Sequence, residues 1–71
     1  MNMTIKLSNG QTSNWDESKP VHFLLSGMLK GEQGTLTGNF EEQNVCGEPV
    51  AMLEVSHPFG TDMIFEDYLS Q

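Results

Sequence analysis

Cys46, His22 and His57 are the residues of this 71-residue chain whose side chains suit nucleophilic or metal chemistry. A thiolate attacks when a base or a positive field lowers its pKa. Cys46 instead has Glu48 two positions on and Glu42 four positions back, and negative neighbours push a thiol the other way. A structural cysteine flanking a strand is the reading these neighbours favour. A closed zinc site takes four ligands, typically in pairs two to four residues apart. One cysteine and two distant histidines do not supply that pattern, and the acids do not form the Asp-x-Asp-x-Asp-Gly loop that holds calcium. Gly31, Gly34 and Gly38 read as turn glycines, because no lysine follows them in the position a phosphate loop requires. No catalytic, cofactor-binding or metal-ligating residue is assigned, and the chain is read as non-enzymatic.

The acids are more informative. Ten Asp and Glu stand against three lysines and no arginine, for a formal charge of −7. Lys6, Lys19 and Lys30 all precede Gly31, whereas eight acids follow it: Glu32, Glu41, Glu42, Glu48, Glu54, Asp62, Glu66 and Asp67. Proteins that read a nucleic-acid backbone neutralise phosphates with Lys and Arg. This chain would repel DNA, RNA and anionic lipid. A surface built for solubility alone usually intersperses both signs. A solvated surface is the plainer reading of these acids, and the one-sided distribution supports the sharper one, a face matched to a basic partner. Glu41-Glu42 and Glu66-Asp67 would need a cleft to act as acid–base pairs; as partner contacts or solvated edges they need none.

Aromatic residues supply a centre for such a face. Trp15 lies in a polar stretch, where core and interface roles stand even, and Phe59 lies between Pro58 and Gly60 as a turn-tip anchor. Phe23, Phe40 and Phe65 read as core. The candidate partner-binding set is Trp15, Glu41, Glu42, Glu48, Glu54, Phe59, Asp62, Glu66 and Asp67.

These residues need positioning elements. Met3–Leu7 alternates apolar and polar, and Asn9-Gly10 suits a type I′ turn into a polar return arm over Gln11–Trp15. Val21–Leu25 reads as a central strand running on through Met28 and Leu29 to Lys30, with Gly27 as a bulge. A turn over Gly31–Gly34 would join it to Thr35–Phe40. Glu41–Pro49 reads as a polar connection ending in a turn at Gly47-Glu48-Pro49. Val50–His57 is a strong strand, with Ala51, Leu53 and Val55 on one face and Val50, Met52 and Glu54 on the other. In Thr61–Gln71, Ile64, Phe65, Tyr68 and Leu69 make one stripe of a short helix, and a strand through Met63 and Phe65 is the competing assignment. The expected fold is α+β: one domain, 1–71, with a small antiparallel sheet of four to five strands and one short C-terminal helix. A small all-β barrel is the alternative.

A chain this short buries only roughly 60% of its unfolded surface, and one cysteine allows no internal disulfide. Self-association or a partner would supply extra stability. The leading expectation is an acidic interaction module that binds a basic protein surface. One form is an inhibitor occupying the nucleic-acid groove of a DNA- or RNA-handling protein, its carboxylates standing where phosphates sit. The alternative is a small homodimeric accessory domain whose acids serve solubility. The lone thiol and the absence of a signal-peptide pattern or a long apolar run fit a soluble cytoplasmic protein.

Overall fold

The computed structural model describes residues 2–24 and 31–71. Seven strands follow in chain order: β1 (Asn2–Lys6), β2 (Thr12–Asp16), β3 (Val21–Phe23), β4 (Gln33–Val45), β5 (Glu48–His57), β6 (Gly60–Phe65) and β7 (Leu69–Ser70). Strands β1 and β2 form a hairpin; the rest form an antiparallel sheet in the order β6-β5-β4-β3-β7.

The sheet is strongly curled. β6 and β7 lie at its opposite edges, which in a flat five-stranded sheet would be roughly 19 Å apart. Only Glu66–Tyr68, one turn of 3-10 helix, joins them. Four Cα steps reach at most about 14 Å even when extended. The edges must therefore curve towards each other into a small, partly open barrel, with the β1–β2 hairpin packed on its inner face.

One core joins both sheets. Met3, Ile5 and Leu7 meet Val21, Phe23, Leu36, Ala51, Leu53, Val55, Ile64 and Leu69 in a single buried cluster. Strand alternation makes this possible: β1 buries every second residue, and so does β5 through Ala51, Leu53 and Val55. Fully burying one such aliphatic side chain stabilises by about 1.5–3 kcal/mol. Among the described residues no polar or charged residue is buried as a whole, although the side chain of His57 is.

The expected α+β class is overturned in favour of the all-β alternative. Residues 60–65 pair with β5, with Ile64 opposite Leu53 and Phe65 opposite Met52. Only Glu66–Tyr68 is helical, after which Leu69 pairs with Phe23. A helix of about ten residues has little stability of its own. Here the same apolar residues satisfy two strand edges instead, along the competing strand through Met63 and Phe65.

Three further expectations change. At the first turn, Ser8 and Asn9 are central: the Gly10 N–H donates to the Leu7 carbonyl (2.9 Å), and only Gly10 has positive φ (90°). This is a three-residue loop with a glycine bulge, not a type I′ turn. The expected polar connection at residues 41–49 is largely strand, because β4 runs to Val45 and turns through Cys46 (φ 52°) and Gly47 (φ 86°) into Glu48. Two consecutive positive φ values mark that turn as type I′. The turn expected at Gly31–Gly34 is displaced, since Gln33 and Gly34 already pair with His22 and Val21. The expected strand continuation through Leu25, Met28 and Leu29 and the bulge at Gly27 lie outside the described residues.

Candidate functional site

Strand β5 has a turn at each end, Cys46-Gly47 and Pro58-Phe59. Its ten residues put these ends roughly 30 Å apart. Of the candidate partner-binding residues, Phe59 and Asp62 lie at one end and Glu48 at the other, with Glu54 between them.

At the Pro58-Phe59 end, Phe59 is 60% exposed. Its N–H donates to His57 Nδ1 (3.2 Å), which fixes the proton on Nε2, 2.7 Å from Asp62 Oδ2. The His57 side chain is 2% exposed and packs edge-on against the Phe23 ring. Asp62 thus anchors a turn.

Three other candidates serve the fold's own donors. Glu42 accepts from the Ser8 hydroxyl (2.6 Å) and N–H (2.8 Å), which hold its carboxyl below the usual value. Glu54 is lowered in the same way, first by the Thr37 hydroxyl and then by the Asn39 amide. Glu66 Oε2 accepts from the Ser13 hydroxyl (2.8 Å) and from Trp15 Nε1 (3.2 Å). Trp15 is half-buried and packs against the core.

Glu41, Glu48 and Asp67 remain. All three are exposed, and none of their carboxylates makes a hydrogen bond or ion pair among the described residues. They lie towards the Cys46-Gly47 end. There Val45, Val50, Phe65, Tyr68 and Asp67 line an open groove of about 230 Å³. A second cavity, about 170 Å³, adjoins it beneath the first hairpin turn, where Leu7, Glu48 and Glu66 join Val50, Phe65 and Asp67. The geometry explains the opening. β6 ends at Phe65, opposite Met52, so among the described residues Glu48–Ala51 has no strand on that side.

Val45, Val50, Phe65 and Tyr68 were missed as surface residues. A signal was present: β5 is apolar on both faces, and one face of a sheet fills only one core. Cross-strand pairing places Val50 opposite Gln43, and Met52 opposite Glu41 and Phe65. The outward face is therefore an apolar row with carboxylates at its rim. Val45 and Tyr68 are 44% and 45% exposed, and the Phe65 and Tyr68 rings meet edge-on at 6.2 Å.

Cys46 and His57 occupy opposite ends of β5, beyond proton-transfer reach. No group of three His, Cys, Asp or Glu among the described residues is placed to hold a metal. Among the described residues, no helix is long and apolar enough to cross a membrane. No family model matches the chain, and no curated protein or solved structure matches it either.

Proposed function

We propose that this chain is a non-enzymatic interaction module that binds a basic, partly apolar surface of another protein. The contact is the outer face at the Cys46-Gly47 end. The observation that carries this reading is the juxtaposition of an open apolar groove with exposed carboxylates: Val45, Val50, Phe65 and Tyr68 with Glu48 and Asp67, and no lysine in the lining. Aromatic side chains supply contact area, and the acids steer a cationic partner and set its orientation.

The mixed chemistry favours apolar-plus-charge contact over imitation of a phosphate row. Glu42, Glu54, Asp62 and Glu66 already accept from the protein's own donors, which leaves few carboxylates to stand in for phosphates. A second copy fits this face less well, because its rim would meet an identical negative rim.

The test is capture of purified basic proteins on the immobilised chain at low and high salt. Wild type should retain a subset at low salt only, and Glu48→Lys/Asp67→Lys should lose that subset while keeping its circular dichroism. Capture unaffected by both charge reversal and salt would end this reading.

A further inference from the structure

The second half of β4 has a strand on one side only. β5 pairs with it as far as Val45, whereas β3 pairs only with Gln33 and Gly34. Among the described residues, nothing pairs with the other edge from Leu36 to Val45. The register shift between Leu36 and Phe40 separates the final six residues, Phe40–Val45, as a regular open edge.

The hairpin fixes which groups point outward. In a two-residue type I′ loop the flanking residues, here Val45 and Glu48, exchange both backbone hydrogen bonds. Bonded pairs then recur at Gln43–Val50 and Glu41–Met52. Asn44–Pro49, Glu42–Ala51 and Phe40–Leu53 are the non-bonded pairs. Pro49 corroborates the phase: lacking an N–H, it stands where β4 asks for none. The N–H and C=O groups of Phe40, Glu42 and Asn44 therefore point away from β5, forming three evenly spaced donor–acceptor sets.

Resting on the proposed function above, we infer that this edge receives an extended segment of the partner, which adds as a further strand beside β4. Charge selects the segment. Side chains of an added strand would stand beside Glu41, Gln43 and Val45 on the outer face. Lysine or arginine alternating with apolar residues meets both the carboxylate and the valine. A second copy is disfavoured, because antiparallel pairing of two such edges brings Glu41 and Glu42 close to their own equivalents.

The probe is a capped heptapeptide of alternating lysine and valine, read by fluorescence anisotropy at low salt against the same peptide methylated on every backbone nitrogen. Both carry the same side chains, but only the first can pair with β4. The parent peptide should bind, and the methylated one should bind at least about tenfold more weakly, the loss expected from two or more backbone hydrogen bonds. Asn44→Pro, which deletes one outward N–H and the Asn44 Oδ1 bond to the Gly47 N–H but no β5 ladder bond, should weaken the parent peptide about fivefold, and Asn44→Ala, which loses only the turn bond, should not. The exchange of the Phe40, Glu42 and Asn44 amide protons should slow on binding.

Equal binding of the two peptides would overturn strand addition and leave the acidic contact face standing. Failure of both to bind at low salt would overturn the two together. Dimerisation at micromolar concentration that Asn44→Pro abolishes would overturn the choice of a basic partner for this edge.

Discussion

Ser8 places both its backbone N–H and its hydroxyl on the carboxylate of Glu42, at 2.8 and 2.6 Å. This clamp joins the β1–β2 turn to β4. Its geometry needs an ionised acceptor, so it is sensitive to acid. Asp16 and Glu54 are held below their usual values in the same manner, Asp16 chiefly by the Ser18 hydroxyl and N–H. For a depressed carboxyl, stability is fully present above the unfolded value, here 3.8 for Asp16 and 4.5 for the two glutamates, and it declines as pH falls towards the folded one. The urea midpoint should fall on acidification below pH 4.5. The triple variant Asp16→Asn/Glu42→Gln/Glu54→Gln should show a shallower fall.

Gly34 has no room for a side chain. A Cβ there would collide with Val55 Cγ1 and stand 3.1 Å from both Phe23 Cζ and the Ser56 carbonyl oxygen. Gly34→Ala should destabilise by about 1–3 kcal/mol, as overpacking does. In a double-mutant cycle by urea denaturation, Val55→Ala should recover part of that loss.

Cys46 holds φ 52° in the type I′ turn, a conformation that asparagine tolerates better. Cys46→Asn should raise stability by roughly 0.5–1 kcal/mol, seen as a higher melting temperature. It should also remove any disulfide-linked dimer on a non-reducing gel, since the thiol is exposed.

His57 combines a buried ring with two hydrogen bonds. His57→Ala should cost about 2–4 kcal/mol through lost packing and an unsupported turn. Asp62→Asn keeps an oxygen acceptor and should cost under about 1 kcal/mol. Chemical denaturation of the two variants checks the order.

Legibility in the sequence followed period. Met3, Ile5 and Leu7, and Ala51, Leu53 and Val55, alternate cleanly, and each set is buried as its spacing requires. Residues 61–71 misled because Ile64, Phe65, Tyr68 and Leu69 also fit a helical stripe. Tertiary pairing to β5 and β3 decided the matter, and such pairing leaves no local mark. Glu41-Glu42-Gln43-Asn44 is poor in strand-forming residues, so its strand was hidden; the Cys46-Gly47 turn and β5 impose it. Among the candidate residues, Glu41, Glu48 and Asp67 stand exposed at one end, their carboxylates without partners among the described residues. Glu42, Glu54, Asp62 and Glu66 were indistinguishable from them until their donors were seen. Ser8 and Glu42 lie 34 positions apart, a separation that composition cannot bridge.

The three-residue turn between β6 and β7 also governs the order of assembly. β7 pairs with β3, setting Ser70 against His22, whereas the β1–β2, β4–β5 and β5–β6 pairs are all local hairpins. Hairpins form on the microsecond scale. Joining His22 to Ser70 requires closure of a long loop first, and folds dominated by such distant pairs reach their native state in milliseconds to seconds. Pairing of β7 with β3 is therefore the step expected last, a latch of two residues that draws the local hairpins into one curled sheet.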